Sequence, residues 1–386
     1  MIKIENKRNC TGCGACVTVC PKNVICMTED QEGFIYPEIN EDKCVQCGLC
    51  DSVCHMNKNF HAYLGSYKKF YAACLKDKKL LKDVSSGGAA WALTQYFIKN
   101  NGIVYGAIHN SLGNVHHKRA ETLSEAENFR KSKYLQSNIG NCYAETLEDL
   151  NTGKQVLFTG TPCQIAGLYG YLGREFKNLY TVDIVCHGVP SATAFRSYIT
   201  GLEKKHHCKV KDIVFRDKSY GWNQNHYAIY YENGLVTYEY SNFNLFHSAY
   251  LQGLLGRPSC GNCRYASLPR IADITVADFW KYNGTFKANN DNQGISLVVC
   301  NTPKAYELTN NLSDYLFMEE VSYELATLSC RHLTKTPKES HNRSTFFKLL
   351  NKTNYFTAAR ICLPKRMLVY SKIKKIRRTL NAKRKN

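Results

Sequence analysis

Eight cysteines in the first sixty residues have types and spacing suited to an iron cage. Cys10, Cys13, Cys16 and Cys20 stand at C-x2-C-x2-C-x3-C, and Cys44, Cys47, Cys50 and Cys54 repeat that spacing. Three closely spaced thiolates grip three irons of one cube, while the fourth, three residues on, is carried to the other cube. The expected ligand sets are therefore Cys10, Cys13, Cys16 and Cys54 for one [4Fe-4S] cluster, and Cys44, Cys47, Cys50 and Cys20 for a second. Structural zinc is the competing chemistry. Zinc ribbons pair two C-x2-C knuckles, however, and have no use for a third and fourth thiol. Cys26 falls outside the pattern and reads as an ordinary thiol.

Other reactive groups are scattered further along. Cys163, in Thr159-Gly160-Thr161-Pro162-Cys163-Gln164, is expected at a helix N-terminus, where anionic sulfur is stabilised as a ligand or as a redox thiol. Ser85-Ser86-Gly87-Gly88 has the make-up of an anion cradle at a helix start, and equally that of a helix cap. Residues 130–137, with Lys133, Tyr134 and Gln136, offer cations, hydroxyls and a ring suited to a dinucleotide, or else a solvated basic face. Cys260-x2-Cys263 alone would suit a two-thiol zinc knuckle. His187 lies in an expected strand-end loop as a candidate donor or proton carrier, or as a buried histidine. Asp183, Arg216, Asp217 and Asp278 are polar groups at expected strand ends.

These groups need a scaffold, and 386 residues with 44% apolar and 12% aromatic content suffice for a small module plus a larger domain. The reading is α+β or α/β: a small two-cluster bacterial-type ferredoxin domain at 1–60, a larger mixed α/β domain at 61–328, and a linker with a basic helical tail at 329–386. A hairpin is expected over Val24 to Asn40. Apolar runs predict strands at Ile103 to Ile108, Gln155 to Thr159, Tyr180 to Val185, Ile213 to Arg216, Ile274 to Ala277 and Ile295 to Cys300. Asn233-Gly234 predicts a second hairpin. Helices are expected after Ser86, Ser124 and Pro162, the second opened by a Ser124-x-x-Glu127 capping box.

Residues 67 to about 300 resemble the coenzyme F420 hydrogenase/dehydrogenase beta-subunit family of flavin and iron-sulfur oxidoreductases. The matching stretches are Ser85 to Gly88, Ser132-Lys133-Tyr134, Thr159 to Gln164, Cys186-His187-Gly188-Val189-Pro190-Ser191, Cys260-x2-Cys263 and Ala272 to Asp278. The resemblance implies FAD across the strand-end turns, with Ser85, Ser86, Gly87, Gly88, Lys133, Tyr134, Gln136, Thr159, Gly160 and Thr161 as flavin contacts. It also implies a third [4Fe-4S] cluster on Cys163, Cys186, Cys260 and Cys263, and a role for His187 beside the flavin. The implied activity is a ferredoxin-linked, FAD-dependent oxidoreductase of unassigned substrate. An electron-delivery subunit serving a separate reductase is the alternative.

The formal charge of +19 falls to about +15 with two clusters and about +13 with three, counting roughly −2 for each oxidised cluster. That field favours acidic redox partners, a reduced anionic cofactor or anionic lipid, and no nucleic-acid motif accompanies it. From Arg360 onward come eleven Lys or Arg residues, with Leu363, Met367, Tyr370, Ile373, Ile376 and Leu380 at helical steps. Residues 360–386 are thus expected to contact an anionic membrane surface or an acidic partner, or to stay solvated. No secretion signal precedes Cys10, so reduced thiols in a cytoplasmic protein are expected.

Overall fold

The residues between the two cysteine runs close into an antiparallel hairpin, β1 (Ile25–Glu29) with β2 (Ile35–Ile39), in the computed structural model, which describes residues 2, 4–57, 68–285 and 291–365. Each cysteine run winds into one helical turn, Ala15–Thr18 and Leu49–Ser52.

Downstream come β3 (Lys69–Leu75), β4 (Ile103–Ser111), β5 (Asn114–Ala120), β6 (Val156–Gly160), β7 (Leu179–Ile184), β8 (Val210–Asp217), β9 (His226–Tyr231), β10 (Val236–Tyr240), β11 (Ile274–Asp278), β12 (Ser296–Cys300) and β13 (Leu316–Glu320). Among the described residues, eight of them form one mixed sheet in the order β13-β3-β12-β11-β7-β6-β4-β5. The middle strands β11, β7, β6 and β4 run parallel and the flanks antiparallel. A sheet with parallel centre must be covered on both faces, so β6 carries Val156, Leu157 and Phe158 with no exposure. Helices Ala89–Lys99 and Pro303–Asn310 pack on one face. Helices Cys142–Asn151 and Pro162–Leu172 pack on the other, together with Ala15 and Val53 of the N-terminal module. The chain therefore brings its cysteine module against the helical layer that begins at Cys163. β8, β9 and β10 form a separate antiparallel sheet, with the expected turn at Asn233-Gly234.

Two expectations are corrected. The capping box is Thr122 with Glu125, not Ser124 with Glu127, because Thr122 is the extended residue and Ser124 already lies inside the turn. Glu127 instead pairs with Arg130. The segment from Ser329 to Ser344, expected as a linker into a tail at 329–386, does not detach from the larger domain. Helices Arg343–Lys352 and Tyr355–Cys362 follow it and bury Phe346, Tyr355 and Ala358 completely against helix Ala192–His206 and the three-stranded sheet. Apolar burial of those aromatic rings outweighs the polar composition around them. Of the expected amphipathic tail, residues 366–386 lie outside the described residues. No helix among the described residues is long and apolar enough to cross a membrane.

The tip of the N-terminal hairpin is clamped on this C-terminal layer. Gly33 has φ 85°, and its carbonyl accepts Ala192 N at 3.2 Å. A Cβ there would stand 2.4 Å from Thr193 N. Glu32 pairs with Arg343 at 2.5 Å, and Phe34 is 2% exposed. Gly33→Ala is expected to destabilise the seat by about 2 kcal/mol or more, from left-handed strain plus the clash. Limited proteolysis should then cut the module faster than in the parent protein, and unchanged cleavage would show the tip free to move.

Candidate functional site

The eight N-terminal cysteines line two neighbouring cavities. One is bounded by Cys10, Cys13, Cys16 and Cys54, the other by Cys20, Cys44, Cys47 and Cys50. That is the crossed grouping expected from the spacing, because each helical turn delivers its last cysteine to the partner cavity. Burial, then the negative charges of Cys10 and Cys54, pushes the Cys16 thiol up to about 12. Burial also raises Cys13 well above its ordinary value, with Cys16, Cys10 and Cys163 adding to it. Buried sulfurs that resist ionisation together suit a positively charged inorganic core, which would offset their mutual repulsion. Among the described residues no three His, Cys, Asp or Glu close to metal-ligand spacing, so the fit rests on which thiols share a cavity.

A third set of thiols forms at the ends of the parallel strands. Cys163 opens helix Pro162–Leu172 after β6, with Sγ 3.2 Å from Thr161 Oγ1. Cys186 follows β7, and Cys260 lies in the turn Pro258–Asn262 with Cys263 just after it. Two contacts fasten these loops together: Arg257 N donates to Val189 O at 3.0 Å, and Pro190 bridges Gly256. A Cβ on Gly188 would stand 3.5 Å from Cys260 Sγ. Burial raises Cys186 well above its ordinary value, and the charges of Cys260, Cys163 and Cys263 raise it further. Burial likewise takes Cys163 to about 11 and Cys260 to about 12. The set adjoins the first N-terminal cavity, since a Cβ on Gly167, one helical turn beyond Cys163, would lie 3.0 Å from Cys13 Sγ. Tyr265 stands between them. Its hydroxyl hydrogen-bonds His55 Nδ1 at 2.6 Å, and burial followed by the charges of Cys163 and Cys13 pushes its ionisation well above the ordinary tyrosine range, keeping it protonated.

A separate cleft of about 310 Å³ is lined by Lys82, Ser85, Lys131, Ser132, Arg216 and Lys218 among others. Ser85 and Ser132 join their hydroxyls at 2.9 Å. Lys218 is buried and donates from Nζ to Leu81 O and Ser86 O, both at 2.7 Å. Burial pushes its ammonium down to about 7, against the pull of Asp278. Arg216 grips Asp278 with two hydrogen bonds of 2.8 and 3.0 Å, and Trp222 Nε1 donates to the same carboxylate at 3.0 Å. Burial works to raise the Asp278 carboxyl, but Arg216 and these donors outweigh it and hold it below its ordinary value. Arg216 also donates to Tyr134 Oη at 3.4 Å. The Tyr134 ring stands 5.6 Å from that of Tyr250, whose hydroxyl donates to Gly188 O at 3.0 Å. Aromatic rings thus connect the cationic cleft to the loop carrying Cys186.

A family model for the C-terminal part of the coenzyme F420 hydrogenase/dehydrogenase beta chain matches residues 153–324, and one described as a 4Fe-4S dicluster domain matches residues 9–58. Residues 153–324 are thus similar to the C-terminal part of that beta chain, and residues 9–58 form an iron-sulfur, electron-transfer module of the dicluster type. A chain of the F420-reducing [NiFe] hydrogenase complex from Methanosarcina barkeri, solved as a xenon derivative, aligns with a TM-score of 0.49 and 19% identity, over 75% of this chain and 95% of that one. No curated protein matches it.

Several expected flavin contacts are engaged elsewhere. Gln136 does not face the cleft: its Nε2 donates to Thr11 O at 2.8 Å and Gly12 O at 3.1 Å, so it braces the loop of the first cysteine set. The amides of Gly87 and Gly88 already bond Ser296 Oγ and Ser85 O, and Ser86 Oγ donates to Ile295 O, which makes this turn a packing device rather than a free anion cradle. Ser85 alone of the four lines the cleft. Thr161 N bonds Gln164 Oε1 and Thr159 Oγ1 donates to Tyr105 O, placing Thr159, Gly160 and Thr161 in the internal support of Cys163. Lys133 donates from Nζ to Asn128 O. His187 keeps an exposed face, yet desolvation, with His332 at 4.3 Å between ring centres, takes its imidazole down to about 4. Asp183 lies away from the cleft, paired with Arg270 at 3.1 Å in the interior. Lys218 and Tyr250 were missed from the sequence, because an isolated lysine and tyrosine carry no spacing signal.

Proposed function

We infer that this chain is an iron-sulfur flavoprotein oxidoreductase passing electrons between [4Fe-4S] clusters and a hydride donor or acceptor at FAD. The observation carrying this reading is the order of the parts: first cysteine cavity, third cysteine set, then the cationic and hydroxyl-lined cleft. Cys10, Cys13, Cys16 and Cys54, then Cys20, Cys44, Cys47 and Cys50, would hold the two ferredoxin clusters, and Cys163, Cys186, Cys260 and Cys263 a third. Bound FAD would supply the exchange between paired and single electrons that such a chain of centres needs. Lys82, Lys131 and Lys218 bring positive charge to an anionic phosphate, while Ser85 and Ser132 offer hydroxyls to it. The Arg216–Asp278 pair fixes one wall, and Tyr134 presents a ring and hydroxyl beside it. His187, on the loop between Cys186 and the cleft wall, is assigned the hydrogen bond to substrate. Peripheral contact of residues 360–386 with anionic membrane is part of the same proposal, as is a cytoplasmic site of action.

The test is cofactor quantification after anaerobic purification and reconstitution. About one FAD per chain is expected, and Lys218→Met, which removes a buried cation without changing bulk much, should weaken FAD retention about tenfold, the loss of one charge-assisted contact. Protein holding eight or more irons with no FAD would defeat the enzyme reading and leave an electron carrier for a separate reductase.

A further inference from the structure

We propose that Arg257 is the counter-ion of the first cysteine set, a positioning residue that raises the reduction potential of the centre held there. Its side chain is 2% exposed and lies at the joint between the N-terminal module and the larger domain. Nε donates to Cys10 O at 2.9 Å, Nη2 to Ile35 O at 2.8 Å, and Nη1 to Gln136 Oε1 at 3.1 Å, while Nη2 also stands 3.8 Å from Cys10 Sγ. The guanidinium further sits 4.3 Å from the centre of the Tyr36 ring. Every one of these acceptors is neutral or is a cysteine. The other deeply placed arginines are different: Arg270 has Asp183, Arg216 has Asp278, and Arg343 has Glu32. Among the described residues Arg257 has no carboxylate partner.

A guanidinium keeps its charge at any physiological pH, and burying it without an anion is strongly unfavourable. The anions within its reach are sulfurs. Cys10 Sγ is the one in contact, 3.8 Å from Nη2. The backbone is built to admit it: Gly12 has φ 68°, and a Cβ there would lie 2.8 Å from Nη1. A fixed positive charge favours the more negative, reduced state of a thiolate-ligated centre. The centre takes up one electron from its redox partner on reduction, with no proton required of Arg257.

The inference rests on the reading of Cys10, Cys13, Cys16 and Cys54 as ligands, which iron quantification of the parent protein tests by itself. The experiment is an EPR-monitored redox titration of full-length reconstituted protein, comparing the parent with Arg257→Gln, Arg257→Lys and the exposed control Arg264→Gln. Arg257→Gln should shift the reduction equilibrium about tenfold toward oxidised for one of the centres, about 59 mV for a one-electron couple. Arg257→Lys and Arg264→Gln should stay within about threefold of the parent. Equal potentials in the parent and Arg257→Gln at equal iron content would overturn the proposal, as would equal shifts in the Gln and Lys variants. Loss of iron from Arg257→Gln supports it if Arg257→Lys keeps its iron. Loss from both makes Arg257 a structural clamp and overturns it.

Discussion

Reconstituted protein is expected to hold about twelve irons and as many labile sulfides per chain, and Cys163→Ser about eight, with the two ferredoxin signals intact. The expectation follows from three cysteine groupings rather than two. Cys163 belongs to the grouping with Cys186, Cys260 and Cys263, whose charges act on one another. Serine preserves the helix start, where Thr161 and Gln164 already satisfy the cap. What it removes is the thiolate. About eight irons in the parent would eliminate the third centre while leaving the module untouched. A fall to about four in Cys163→Ser would show that the first and third sets do not load independently.

Asp278→Asn is expected to destabilise the protein by about 3 kcal/mol, because it strips a guanidinium of its charge partner in a largely enclosed place. The side chains of Arg216 and Asp278 are only 14% and 22% exposed, so water replaces the lost carboxylate poorly. The effect reaches the cleft wall. Trp222 bonds the same carboxylate and stacks on Trp280 at 4.2 Å and 6°, while Arg216 stands 5.0 Å over that second indole. Losing one anion therefore loosens an arginine and two tryptophans together. Calorimetry should show the melting temperature falling by several degrees, and flavin fluorescence should show FAD released more readily. An unchanged melting temperature would mean that Arg216 is satisfied by solvent and that this wall is not fixed by the pair.

The sequence made the sheet centre and the cysteine grouping readable for the same reason: both are local patterns. β6 and β12, buried on two faces, read as nearly unbroken apolar runs, and the two cysteine runs encode their crossed pairing in their own spacing. β5, by contrast, is an edge strand reading Asn-Val-His-His-Lys-Arg-Ala, with no apolar run to mark it. The C-terminal helices were hidden because Phe346, Phe347 and Tyr355 are dispersed among Lys, Asn and Thr, and only the hairpin and helix they pack on reveal the face they share. The site was legible in its thiols and much less so in its cleft. Gln136 sits in a basic, hydroxyl-rich stretch and yet turns toward Thr11 and Gly12, since composition cannot say which side of a loop a side chain takes. Arg257 escaped for a different reason: a single arginine before a C-x2-C pair is unremarkable until its lack of a carboxylate is seen.

The clamp on the N-terminal module also sets a timetable for its manufacture. Glu32 finds Arg343 across 311 positions of chain, and Arg8 finds Glu339 across 331. At roughly 5–20 residues per second, a ribosome needs on the order of 15–60 s to supply the later partners after the cysteines have emerged. During that interval the hairpin tip and Arg8 have no anchor, so the module must hold its own fold until the C-terminal helices arrive to fix it.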